Sequence, residues 1–329
     1  VSATEAVAVA TGSLALALGA TPVAARLASR LGVVDQPGAL KPHTRATPYG
    51  GGIGVAAGVA VGVVVSHAWL AVPFAMALAL GVADDVRPLS PTLRLAGQLA
   101  TGAALATVEH SRFSGAPEAV LVVVATVVLI NGYNLIDGLD ALCGSVAMVS
   151  AVGFAVLLSG EGRLLALALA AAVGGFLAFN LAPAKVYLGD GGAYLVGTAM
   201  AALLVTAWSR AAHLSTGLGA LVLVSLPATE LCCAVLRRAR AHRSVLAGDR
   251  DHPYDQLVRH GWSTWAAVTA YAVVAILLAG VAVAAGLLSA PIAGLLVALA
   301  AVGLLTFCVR AGFLSIANTQ SSDDAPDPR

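Results

Sequence analysis

Residues 118–142 read EAVLVVVATVVLINGYNLIDGLDAL. From Ala119 to Ile130 only Thr126 interrupts the apolar residues. A strand with one wet face alternates between apolar and polar; this run is continuous, and it predicts a helix over about 118–133. Three polar side chains follow it at spacings of three: Asn134, Asp137 and Asp140. That spacing puts them on one face of a helical turn, as a stripe of one amide and two carboxylates. Oxygens of this kind suit a hard cation such as Mg²⁺, which prefers octahedral oxygen ligation and retains waters.

Ten further apolar runs lie on either side, at roughly 4–20, 51–66, 68–83, 94–108, 141–158, 163–180, 192–208, 217–236, 264–287 and 290–309. Of the 329 residues, 59% are hydrophobic and 11% charged. A soluble domain carries about a quarter charged residues, so this chain lacks the polar surface a soluble fold needs. Lipid admits only helices or closed barrels, because backbone groups there find no water. The expectation is an all-α polytopic membrane protein of about 10–11 transmembrane helices. Residues 1–312 read as one transmembrane catalytic domain, and 313–329 as a polar tail expected to be disordered. The first run lacks a basic flank and reads as a span rather than a cleaved signal. A net charge of +1 gives no electrostatic case for nucleic acid. Cys143, Cys232, Cys233 and Cys308 lack zinc spacing, lie in or beside apolar runs, and are expected to be small buried hydrophobes rather than disulfides or ligands.

Lys and Arg set the orientation. With the N-terminus outside and eleven spans, Arg112, Arg163 and Arg210 are outside, and the other fifteen of the 18 basic residues are inside. The inner loops then also hold the acidic clusters, so the site is expected to be cytoplasmic, at the plasma membrane. Asp84 and Asp85 close the third run. Adjacent helical residues point about 100° apart, so both cannot face one ligand squarely; one could take a proton while the other binds a metal or caps a helix. Residues 179–197, FNLAPAKVYLGDGGAYLVG, set Asp190 among glycines at a helix start, where backbone N–H groups favour anions. Lys185 there supplies a phosphate-directed charge. The 237–262 loop carries Asp249, Arg250, Asp251, His252, Asp255, Arg259 and His260. Its Arg237, Arg238, Arg240 and Arg243 read as ligands for anionic headgroups. Carboxylates, a few cations and a His on one face fit Mg²⁺-assisted phosphoryl chemistry, which needs charge neutralisation and positioning above all.

From about residue 20 to 263 the chain resembles the polyprenyl-phosphate N-acetylhexosamine-1-phosphate transferases, relatives of the phospho-MurNAc-pentapeptide translocase. The motifs that carry the likeness stand in the family's order. VDQPGALKPHTRATPYGGG is similar to its first cytoplasmic loop, with Asp35, Pro37, Lys41, His43, Pro48 and the glycines 50–52 in place. Asp84–Asp85 with the following LSP and GQ resembles its Asp pair, and NLIDGLD and AKVYLGDGG its two most specific signatures. The resemblance implies a UDP-sugar donor, a polyprenyl phosphate acceptor drawn from the membrane lipid, Mg²⁺ (or Mn²⁺ in its place) and UMP as product; it also admits a homodimer. By position it implies Asp190 as the metal ligand and Asp137 and Asp140 as an essential pair. Asn134 and Asn180 match the nucleotide pocket, Tyr187 the aromatic beside uracil, and Asp84 a proposed base for the lipid phosphate. His252 matches one position of a His-rich loop motif, where Tyr254 and Asp255 replace further histidines; Lys41, Lys185 and Arg250 fall among the substrate-binding positions. That departure leaves the identity of the sugar open.

Competing readings are the same reaction with another UDP-sugar, an inactive paralogue, and a transporter. Intramembrane carboxylates also mark ion pathways, but here they gather at one face. DGLDALC lacks the Arg of a CDP-alcohol phosphotransferase signature.

Overall fold

Each of the eleven apolar runs falls on helix. The computed structural model describes residues 1–36, 46–112, 115–209, 213–245 and 251–314. Two of the site positions named above, Lys41 and Arg250, lie outside the described residues. The helices are α1 (Ala3–Leu31), α2 (Gly51–Ser66), α3 (Ala71–Val86), α4 (Pro91–Val108), α5 (Ala116–Leu135), α6 (Leu142–Leu157), α7 (Gly160–Asn180), α8 (Gly189–Ala207), α9 (Leu214–Leu223), α10 (Ser225–Arg240), α11 (Pro253–Arg259), α12 (Thr264–Leu287) and α13 (Ala290–Arg310). Seven spans among the described residues are long and apolar enough to cross a membrane, and the bent pair α9–α10 makes an eighth; α2 and α6 are shorter apolar helices. A two-residue antiparallel ladder, β1 (Val34–Asp35) with β2 (Thr47–Pro48), brackets the first loop.

Local chemistry sets the ends. Ser2 and Glu5 form a capping box at the start of α1, and Gly32 closes it in the left-handed region. Ser90 caps α4 ahead of Pro91, and Ser263 caps α12. The 217–236 run departs from a single straight span: it breaks at Val224 and bends by 57°. Pro227 has no N–H for the Leu223 carbonyl, which accepts from the Ser150 hydroxyl at 2.7 Å instead.

The most buried span is α8, with 89% of its apolar window inside the protein, against 11% for α13. It is the central post, packed on α2, α3 and α5. Small residues let these backbones close up, the usual device where lipid supplies no hydrophobic drive. A Cβ on Gly52 would overlap the backbone of Gly192; one on Gly81 would overlap the Asp190 carbonyl; one on Gly197 would meet the Ile130 backbone at 2.6 Å. Around this post α1, α2 and α7 form one group, and α6, α9 and α12 another.

The connections sort into two ends. At one end the C-termini of α3, α5 and α7 meet the N-termini of α4, α6 and α8. At the opposite end Glu109, 1% exposed, pairs with Arg112 and sits 3.4 Å from Nδ1 of His67. There Arg163 donates to the carbonyls of Ala155 and Leu158. Arg112 and Arg163 are thus together, as the basic-residue reading expects; Arg210 lies outside the described residues.

Two expectations need correction. Arg237 and Arg238 are 2% and 8% exposed rather than spread toward headgroups. Arg237 donates to the Phe313 carbonyl at 3.2 Å and Arg238 to that of Val245 at 2.9 Å, so both tie chain segments together. Phe313 and Leu314, placed in the polar tail, pack against Cys233 and Cys308; residues 315–329 lie outside the described residues.

Candidate active site

The first turn of α8 is built by the loop before it and by Asp85. Gly189 has φ +74°, and a Cβ there would collide with the Asp85 carboxylate. Asp85 accepts from the N–H of Asp190 at 2.8 Å and of Gly191 at 3.1 Å. A side chain 105 residues away therefore caps α8, satisfying donors that a helix start leaves unpaired. That turn aims Asp190 at the end of α5, where the Asn134 amide donates to its carboxylate.

The neighbouring Asp84 leaves α3 in a different direction, as adjacent helical positions require, yet its side chain also reaches Asp190. Asp84 is 4% exposed. One oxygen accepts from the Leu89 N–H at 2.7 Å; the other accepts from the Tyr194 hydroxyl at 3.1 Å and lies 2.7 Å from Nε of Arg94. Through these contacts Asp84 ties α3 to α4 and α8.

The 136–141 loop brings the second carboxylate pair beside the first. Burial raises the Asp137 carboxyl well above the usual range, and the negative charges of Asp190, Asp85 and Asp140 push the same way. Asp140 accepts from the Ala184 N–H at 2.8 Å. Asn180, expected in the nucleotide pocket, is 4% exposed, and its amide is spent on structure. It accepts from the Ala141 N–H and donates to the Val186 carbonyl, both at 2.9 Å, clamping the two signature loops together. It shapes the pocket from behind.

Tyr187 joins the site to the first loop. Its N–H donates to the Pro48 carbonyl, and its own carbonyl accepts from Gly50 and Gly51. Its ring lies 6.1 Å from that of Tyr49, tilted by 45°. Burial, followed by the Asp140 charge, pushes the Tyr187 hydroxyl up to about 12, so it stays protonated at neutral pH and can donate. Tyr49 was not picked out from sequence; its one signal is its place just before the glycines of that loop. Lys185 is exposed.

His252 lies beside Glu230, its Nδ1 3.4 Å from a carboxylate oxygen. It is 5% exposed, precedes α11 as its N-cap residue, and stacks on Tyr254 with centroids 5.5 Å apart and 11° between planes. Asp255 accepts from the His252 N–H at 3.1 Å, which closes that cap. Tyr254 reaches the site instead: a Cβ on Gly138 would collide with its hydroxyl.

Among the described residues no group of three or more His, Cys, Asp or Glu side chains is arranged to hold a metal ion alone. Magnesium does not require one. It keeps several waters and takes one or two carboxylates with substrate phosphates. Asp190, oriented by Asn134, with Asp137 near it, offers the one or two hard carboxylates that such an ion would take.

Fold and site together define a polytopic helical membrane protein with an acidic cluster at one end of its bundle. The family model described as Glycosyl transferase family 4 matches residues 67–208, the stretch that holds Asp84, Asp85, Asp137, Asp140 and Asp190. A relative from Mycolicibacterium smegmatis, decaprenyl-phosphate N-acetylglucosaminephosphotransferase, is 30% identical over 289 residues, covering 72% of this chain and 71% of its own. The undecaprenyl-phosphate alpha-N-acetylglucosaminyl 1-phosphate transferase of Escherichia coli (strain K12) is 29% identical, covering 80% and 79%. From Bacillus subtilis (strain 168), a protein named "Probable undecaprenyl-phosphate N-acetylglucosaminyl 1-phosphate transferase" is also 29% identical, with 76% of each chain covered. The chain belongs to glycosyl transferase family 4, a transferase family of the membrane.

Proposed function

We propose that the protein transfers a sugar-1-phosphate, in the first instance N-acetylhexosamine-1-phosphate, from a UDP-sugar to a polyprenyl phosphate at the cytoplasmic face of the plasma membrane. The observation that carries this reading is the α8 start, where Asp85 fixes the turn, Asn134 orients Asp190, and Asp137 and Asp140 crowd beside them. The relatives act, by their names, on polyprenyl phosphates with an N-acetylglucosamine phosphate.

In the reaction an ionised oxygen of the lipid phosphate attacks the sugar-bearing phosphorus of the donor. The new P–O bond forms as the anhydride bond to the nucleotide phosphate breaks, and UMP leaves with that bridging oxygen. An ionised phosphate oxygen is already a nucleophile, so direct attack needs no protein base. Asp190, with Asp137 beside it, would hold Mg²⁺, which neutralises phosphate charge when bound. Lys185 supplies a cation for the incoming phosphates, and Tyr187 and Tyr49 offer a wall for the uracil.

The test is a panel of UDP-sugars with undecaprenyl phosphate, scored for UMP. Release is expected with a UDP-N-acetylhexosamine and is expected to stop with EDTA. Asp190→Asn should lower turnover by roughly 100-fold or more, the scale of losing one preorganised electrostatic contact. Full activity of that variant at saturating Mg²⁺ would remove Asp190 from the metal.

A further inference from the structure

Glu230 is 3% exposed, and the chemistry above does not use it. It lies on α10 just past the break from α9, where the helix start is pressed on α5: a Cβ on Gly132 would come within 2.6 Å of the Pro227 carbonyl oxygen. Its Oε2 accepts from the Tyr271 hydroxyl of α12 at 3.1 Å, and its Oε1 lies 3.4 Å from Nδ1 of His252. A carboxylate buried in a bundle is costly unless its partners offset the lost water. Here the Tyr271 hydroxyl supplies a hydrogen bond, and the His252 imidazole, which begins α11, stands at ion-pair distance without a hydrogen bond to Oε1.

The contacts run on from there. The His252 ring lies flat on Tyr254, and the Tyr254 hydroxyl covers Gly138, between Asp137 and Asp140 in sequence. At its other side α11 is tied through Gln256, which donates to the Phe313 carbonyl at 3.4 Å. We propose that Glu230 is a positioning residue for the transfer reaction: it anchors His252, and through the His252–Tyr254 stack it holds the 136–141 loop and its two carboxylates in place. The inference rests on the reading of that loop as part of the active site. A chain of two rings suits the task, because stacked aromatic faces transmit position with few rotatable bonds.

Two readouts test it, one without any need for activity. In Glu230→Gln, amides of 252–259 should exchange with deuterium about tenfold faster while those of α8 keep their rate, the mark of local rather than global opening. Turnover should fall roughly 10- to 100-fold, as for groups that orient a site from behind, with KM for the UDP-sugar within about twofold. Glu230→Asp should recover part of the loss. Tyr271→Phe, which keeps the packing and removes one donor, should fall between wild type and Glu230→Gln in both readouts. In a His252→Asn background Glu230→Gln should add little, since residues acting as a unit are non-additive. Unchanged exchange across 252–259, or fully multiplicative losses in the double variant, would overturn the proposal. A wild-type protein that releases no UMP, with the exchange effect intact, would instead count against the proposed reaction.

Discussion

Asp84 and Asp85 are neighbours in sequence and serve different elements. Asp84 is bound to Arg94 and Tyr194, and Asp85 caps α8. The helical angle between adjacent positions shows from sequence alone that they must diverge, but not which way each turns, because the partners are more than a hundred residues away for Tyr194 and Asp190. Asn180 entered through the family resemblance, which could not show that its amide bonds to Ala141 and Val186. Asp137 and Asp140 were expected with Asn134 as one stripe on a helical turn; α5 ends at Leu135 instead, and both carboxylates stand in the 136–141 loop. Replacing either with Asn should abolish most turnover, and replacing both should cost little more, because both act on one phosphate–metal assembly. Steady-state kinetics of the two single variants and the double variant decide it; independent, multiplicative losses would assign them separate roles.

Elements were more legible than contacts. All eleven apolar runs became helix, because a continuous apolar stretch in lipid has no other way to satisfy its backbone. Their ends were less so. α1 runs on past Pro22 to Leu31, beyond the apolar stretch at 4–20, and 217–236 is split by the consequences of Pro227. What sets the site at this scale is the close approach of α3 to α8 at Gly81. Gly81→Ala should force the helices apart where the Asp190 turn rests, costing about 1–3 kcal/mol of stability as overpacking does, and lowering turnover. Gly280→Ala on α12, whose added methyl meets nothing within 4 Å, should change neither. Thermal midpoints and UMP release of the two variants compare the cases; equal behaviour would mean that the α3–α8 contact does not set the site.

At the scale of the molecule, the bundle keeps its acidic loops at one end and the Glu109–Arg112 cluster at the other. With fifteen of the 18 basic residues assigned to the acidic side, that side should be cytoplasmic. In a background without the four native cysteines, Ser111→Cys should react with an impermeant thiol reagent on intact cells and Ser244→Cys should not. Labelling of Ser244→Cys from outside would invert the orientation. The central claim is that a sugar leaves its nucleotide with a phosphate attached. A UDP-N-acetylhexosamine carrying ³²P only at the sugar-bearing phosphorus, given to the purified protein with undecaprenyl phosphate and Mg²⁺, measures this directly. The account predicts that the label passes into the lipid phase while unlabelled UMP appears in equal amount. Label remaining in water as UDP while the sugar moves to lipid would contradict it.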